Sequence, residues 1–213
     1  MVSIIITTYN YAKYVERSIR SAIDQTLDAD DYEVIVVNDC STDNTREILE
    51  NFSEEIRVFN LEQNLGLSGA RNYGIKKARG QFIVFLDADD YIHKDLLRTQ
   101  KLFLEENNSL DAVSVDYYLV DERGKHLSHV SSEVTPIACG IMFRKDFLYN
   151  IGLYDEGFRA REEEDLRIRW RENFNIYNII LPLYRYRMHD ANLTKNHDEM
   201  EKHRALLQSK HNK

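Results

Sequence analysis

The chain has 213 residues, enough for one α/β domain with a sizeable buried core. Acids outnumber bases by 36 to 28, a formal charge of −8, which argues against sequence-independent binding of DNA or RNA. A single nucleotide stays allowed, because a metal and backbone N–H groups hold a diphosphate without net positive charge.

The elements follow in chain order. Val2 to Thr8 is apolar and β-branched, the pattern of a buried strand. Tyr11 to Gln25 has helical spacing, with Tyr14, Val15, Ile19, Ala22 and Ile23 on one stripe. Tyr32 to Val37 predicts a second strand, followed by a polar turn in which Thr42 or Asp43 caps the next helix. Ile56 to Leu61 predicts a third strand. Gly66 to Gly80 predicts a small-residue turn and a helix that ends on a left-handed Gly80. Gln81 to Leu86 predicts a fourth strand, and a helix begins near Lys94 and runs through Leu102 to Glu106. Strands alternating with helices imply a mostly parallel sheet with helices on both faces, which binds ligands at the carboxyl ends of its strands.

The pattern loosens after Leu96. Ala112 to Val120 and Ile137 to Phe143 read as strands, with Gly124 in a turn between them. Asp165 to Phe174 reads as a helix with Leu166, Trp170 and Phe174 on one face. Tyr184 to Met188 reads as a short strand, and the tail from Asp198 is charged and helical in composition. Cys40 and Cys139 lie far apart without paired ligand spacing, which suggests reduced thiols in a cytosolic setting. No apolar run approaches a membrane span, and the chain opens directly into a strand, so no signal peptide is expected.

The segments with chemical character fall at the predicted strand ends. Phe82-Ile83-Val84-Phe85-Leu86 runs into Asp87-Ala88-Asp89-Asp90. Clustered carboxylates at a buried strand tip repel one another and become favourable when a hard divalent cation neutralises them. The plainer reading is an Asp-rich turn that caps the next helix. Asp39 can accept from a base or a ribose, or simply satisfy backbone N–H groups in its own turn. Asn64 to Asn72 joins small residues to Arg71 at a helix start, an anion-binding arrangement or an ordinary tight turn. Arg161-Glu162-Glu163-Glu164-Asp165 is either an acidic helix start or the source of a general base. His189 is either a buried, hydrogen-bonded histidine or a metal ligand.

Together these residues resemble the family 2 glycosyltransferases, which have the GT-A fold. Val2 to Asn10 resembles the family's first strand and nucleotide loop, with Thr7 where proline is usual. Val36 to Asp43 resembles its Val-Asp-Asp-Gly-Ser-Thr-Asp segment, with Asn38 for the first Asp and Cys40 for Gly. Asn64 to Asn72 and Asp87 to Asp90 match closely. The resemblance implies a Rossmann-like, mostly parallel sheet flanked by helices and a smaller acceptor-side C-terminal half. It implies one domain over 1–213: a nucleotide-sugar-binding half (1–110), an acceptor and catalytic half (111–197), and a charged tail (198–213).

The resemblance also implies roles. Thr8, Tyr9, Asn10 and Asp39 hold the uridine of a UDP-sugar. Asn64 and Arg71 line the nucleotide or diphosphate. Asp87 and Ala88 contact ribose or donor sugar. Asp89 binds Mn²⁺ or Mg²⁺ through an Asp-X-Asp motif, and His189 matches a late metal-ligating histidine. Aligned on Asp165-Leu166, the family's Glu-Asp pair falls on Glu162-Glu163, which makes Glu163 the base; the shifted alignment makes it Asp165. The implied activity is inverting, metal-dependent transfer to a carbohydrate or lipid-linked acceptor in surface polysaccharide synthesis, in the cytoplasm or at the inner membrane face. Arg185, Arg187 and the Lys/His-rich tail either touch an anionic membrane or form a solvated end. The alternatives are a non-catalytic sugar-nucleotide-binding subunit and a nucleotidyltransferase, although Thr7 to Tyr11 lacks the glycines and bases of a triphosphate loop.

Overall fold

The computed structural model describes residues 1–170, 174–190, 192 and 197–211. Residues 171–173, within the helix expected over Asp165–Phe174, and 212–213, in the charged tail, lie outside the described residues.

Strand β1 (Val2–Thr8) is central and almost wholly buried, as its unbroken apolar run requires. It pairs in parallel with β2 (Tyr32–Asn38) and with β4 (Phe82–Asp87), and β3 (Arg57–Asn60) adds in parallel to β2. The helices α1 (Val15–Ile23), α2 (Thr45–Glu50) and α3 (Gly66–Lys77) make the intervening connections. In α1 the predicted stripe is the buried one: Val15, Ile19 and Ala22 pack inward. The parallel half expected from the sequence is therefore present.

Beyond β4 the sheet becomes mixed. The strand β8 (Ile141–Arg144) runs antiparallel to β4 and to β6 (Ala112–Val120). Strand β9 (Ile176–Arg187) lies parallel to β6 and antiparallel to the short β5 (Tyr91–Ile92), while β7 (His126–Val130) forms a hairpin on β6. Among the described residues the order is β3-β2-β1-β4-β8-β6-β9-β5, with β7 beside β6. Helices α4 (Leu96–Glu106), α5 (Lys145–Asn150), α6 (Glu162–Trp170) and α7 (His197–His211) complete the chain.

Several expectations are corrected. The helix expected over Tyr11–Gln25 begins only at Val15, after a turn in which Tyr14 and Val15 both donate to the Tyr11 carbonyl. Gly80 is not a left-handed cap: α3 ends at Lys77 and Ala78 is extended. Gly80 is small because β1 passes close by, and a Cβ there would lie 2.7 Å from the Ser3 nitrogen. The strand expected over Ile137–Phe143 starts at Ile141, after Gly140 at φ +74° turns the chain. Strand β9 is twelve residues long rather than Tyr184–Met188, and it accommodates Pro182 at a register shift opposite Asp116. Arg187, read from the sequence as either a membrane contact or part of a solvated end, is buried instead.

The sheet positions the chemistry. Thr8 lies opposite Asn38 and Thr7 opposite Asp87, so the carboxyl ends of β2, β1 and β4 form one continuous edge.

Candidate active site

A cavity of about 500 Å³ opens on that edge. Of the residues expected to bind donor or act as base, Thr8, Tyr9, Asp39, Asn64, Arg71, Asp87, Ala88, Asp89 and Glu163 line it. Asn10, His189 and Asp165 are not among its lining residues, and their contacts explain why.

Asn10, at φ +58°, staples two loops. Its Oδ1 accepts from the Thr42 N–H at 2.8 Å, and its own N–H donates to Ser41 Oγ at 3.0 Å. Asp43 extends the staple by accepting from the Ala12 and Thr45 N–H groups, each at 3.0 Å. Asp39 accepts from the backbone of Leu65 at 2.7 Å and of Gly66 at 2.9 Å, so it anchors the N-terminus of α3 to the end of β2. Burial nevertheless raises its pKa, outweighing those two hydrogen bonds and the Arg159 charge. Asn64 donates to the Asp39 carbonyl at 3.1 Å. Thr8 lines the cavity, and its Oγ1 is buried and finds no hydrogen-bond partner among the described residues. Tyr9 is exposed at the rim.

The acids after β4 separate into three environments. Asp87 Oδ1 accepts from Arg71 Nη2 at 3.1 Å. Asp89 Oδ2 lies 2.8 Å from His189 Nε2. Asp90 is fully enclosed, accepting from Tyr184 Oη at 2.6 Å and from the Arg187 N–H at 2.7 Å. Burial pushes the Asp90 carboxyl well above the usual range, helped by the Asp89 and Asp87 charges. Burial and the Asp87 charge also raise Asp89, against the lowering effect of its bond to His189. His189 is fixed from two sides: its N–H donates to Asn192 Oδ1 at 2.6 Å, and its ring stacks on Tyr14 at 4.7 Å. The donor set fits a hard divalent ion, with a carboxylate oxygen and an imidazole nitrogen already adjacent and excess negative charge around them. No cluster of three or more His, Cys, Asp or Glu side chains with metal-holding geometry occurs among the described residues, so further ligands would come from substrate or water.

Across the cavity, α6 presents its acidic first turn. Arg71, on α3, is 1% exposed and donates through Nη1 to Glu162 Oε1 at 2.6 Å. Glu163 points into the cavity, and its pKa is raised to about 7 by burial first and by the Glu162 charge second. Arg167 and Arg71 oppose that rise. Asp165 faces the other way. Its Oδ2 accepts from Arg169 Nε at 2.9 Å, and its Oδ1 meets Lys210 Nζ at 2.6 Å and His211 Nε2 at 2.8 Å. Burial raises it, but the Lys210, His211 and Arg169 contacts prevail and hold its carboxyl below the usual range. Asp165 is thus a clasp between α6 and α7.

Sequence reasoning missed other parts of the wall. Pro136 to Cys139 lines the cavity as a loop, and Gly140 just after it was the available signal. Arg159 also lines it, as do Glu199 and Met200, which arrive when α7 folds back and Arg161 Nε donates to the Met200 carbonyl at 2.9 Å. No local pattern announces that return, because it depends on tertiary pairing. Arg187 joins the site to the second half, donating to the Asp89 carbonyl at 2.6 Å and to the Glu122 carbonyl at 2.7 Å.

A family model described as Glycosyl transferase family 2 matches residues 3–211. The chain belongs to this family. It is 30% identical over 225 residues to an uncharacterized glycosyltransferase of Rickettsia typhi, covering 97% of this chain and 70% of that one. It is 38% identical over 125 residues to the poly(ribitol-phosphate) β-N-acetylglucosaminyltransferase TarS of Staphylococcus aureus, covering 57% of this chain and 22% of TarS. The crystal structure of TarS residues 1–349 with UDP-GlcNAc superposes with a TM-score of 0.80 at 25% identity, over 92% of this chain and 60% of that one. The fold is GT-A, as the family resemblance implied. The chain spans about a quarter of the length of several curated relatives it matches. Among the described residues no helix is long and apolar enough to cross a membrane, and both cysteines are free thiols.

Proposed function

We propose that the chain is an inverting glycosyltransferase that moves a sugar from a UDP-sugar to an acceptor hydroxyl, assisted by Mn²⁺ or Mg²⁺. The observation that carries this reading is Glu163, a carboxylate whose pKa is raised to about 7, lining the same cavity as Asp87, Ala88 and Asp89. A base poised near neutral pH is what proton removal from a hydroxyl needs. The nucleotide lies along the carboxyl ends of β1, β2 and β4, beside Thr8, Tyr9 and Asn64, with Asp39 and Asn10 holding the loops that shape its pocket. Asp87 orients ribose or donor sugar. Asp89 and His189 would hold the cation, which when bound supplies Lewis-acid charge to the leaving diphosphate.

Glu163 takes the acceptor proton as the acceptor oxygen bonds to the anomeric carbon. The bond from that carbon to UDP breaks on the opposite face, and one displacement inverts the centre. The match to TarS, which crystallises with UDP-GlcNAc, supports a UDP-linked donor. Residues 1–110 serve the donor and 111–197 the acceptor. TarS is named for a poly(ribitol-phosphate) acceptor, and a carbohydrate or lipid-linked polymer is the acceptor class proposed here, in surface polysaccharide synthesis at the cytoplasmic membrane face. Arg185 and α7 remain the surfaces for peripheral contact.

The test is turnover of UDP-sugars with and without EDTA, with the product anomer read by NMR. Glu163→Gln should keep UDP affinity and lose about 10²- to 10⁴-fold in kcat. Wild-type rates in chelator would remove the metal, a retained anomer would remove inversion, and an active Glu163→Gln beside a dead Asp165→Asn would move the base to Asp165.

A further inference from the structure

Arg71 presents a physical problem. Its guanidinium is wholly enclosed, stacked between Phe85 at 5.4 Å and Tyr154 at 5.3 Å. Its Nε finds no hydrogen-bond partner among the described residues. Burying a charge in this way costs several kcal/mol, on the order of what a buried ion pair returns, and an apolar side chain of similar volume often stabilises a core better. Fold stability alone therefore gives no reason for an arginine here. Geometry gives one. Nη1 grips Glu162 at 2.6 Å and Nη2 grips Asp87 at 3.1 Å, and these two acids line the same cavity from two different elements, α6 and β4. Glu162 is the neighbour of Glu163 on the first turn of α6, while Asp87 ends β4.

We propose that Arg71 is a positioning residue: its two-pronged grip on Glu162 and Asp87 sets the wall that carries the base at a fixed distance from the wall that carries the donor. Resting on the transferase reading above for what Glu163 does, this assigns Arg71 to holding the protein's own carboxylates rather than to direct capture of diphosphate. The rigid fork is essential, since a lysine ammonium cannot hold two carboxylates in defined directions. A displacement of about 1 Å between reacting groups costs on the order of 10²-fold in rate.

The charged groups facing Glu163 are Glu162, Arg167 and Arg71, and they give the test its sign. Glu162→Gln removes a negative neighbour and lowers the Glu163 titration midpoint. Arg71→Met removes a positive neighbour, leaves Glu162 unpaired and raises the midpoint. General loosening of the cavity would move both variants the same way. The midpoint is read by ¹³C-carboxyl NMR on full-length protein, which needs no turnover, and kcat and donor KM are read alongside. We expect midpoints displaced in opposite directions, with kcat of Arg71→Met reduced by on the order of 10²-fold. Arg71→Lys should restore the midpoint but not kcat. Should Arg71→Met fail to fold, Glu162→Gln and Arg71→Lys decide alone. Midpoints that move together, or Arg71→Lys with the wild-type kcat, overturn the proposal. An active Glu163→Gln overturns the assignment of the base to Glu163 instead, and the two failures are separate.

Discussion

Ile35 and Ile180 are the same residue in two strands of one sheet, yet Ile35 in β2 is 0% exposed and Ile180 in β9 is 75% exposed. The difference runs through the two halves. In the first, β1, β2 and β4 are covered on both faces, and their register fixes the edge on which the residues proposed to bind the donor sit. In the second, β7 is almost wholly exposed and β9 shows Ile176, Tyr177, Ile180 and Leu181 to solvent. The first half is a rigid frame. The second carries Glu163, the base proposed above, on a short helix tied by ion pairs to its neighbours. The largest expected effect breaks the frame: Ile35→Ala should cost about 2–5 kcal/mol, while Ile180→Ala should stay within about 0.5 kcal/mol. Urea denaturation of both variants checks this, and equal losses would erase the distinction between the halves.

The same contrast decides what could be read from the chain. Buried parallel strands write themselves as apolar runs, so Val2 to Thr8 and Gln81 to Leu86 were legible, and with them the cavity edge. The acids of 87–90 were legible as a group but not as individuals. Only packing separates Asp90, enclosed by Tyr184 and Arg187, from Asp89 against His189. In the second half, β7 has neither a long apolar run nor buried alternation, and Pro182 disguised a twelve-residue strand. Gly124 at φ +88° was the signal of the β6–β7 hairpin. The division between Glu163 and Asp165 was beyond local pattern, because both acids sit in one helical turn. The return of α7 onto Asp165 separates them.

That return gives a test of the second half. Asp165→Asn keeps the shape but removes the charge that gathers Arg169, Lys210 and His211. It should cost about 1–3 kcal/mol, with partly exposed partners favouring the lower end. Hydrogen exchange should quicken across α7 and leave β1 unchanged. Acid should act in the same way. The folded Asp165 carboxyl lies below its ordinary value of 3.8, so its contribution is complete above that value and is lost as pH falls through the range beneath it. Loosening of α7 should therefore begin below about pH 4 in the wild type and be absent as a separate event in Asp165→Asn. Exchange that quickens equally in β1 would show that the clasp is not local.

The smallest effect concerns the visible bridge between the halves. Lys13, just before α1, pairs with Glu122, in the β6–β7 turn, at 3.4 Å, and both side chains are more than half exposed. Solvent and salt screen such a pair, and two long side chains lose freedom to make it. The halves have a stronger joint a short distance away, where buried Arg187 donates to the carbonyls of Asp89 and Glu122 and its own N–H donates to Asp90. Those bonds are withdrawn from water, and leaving any of their acceptors unpaired is costly. Lys13→Ala should accordingly leave the melting temperature unchanged at any ionic strength. A salt-dependent loss in that variant would mean that the surface pair carries the connection assigned here to Arg187.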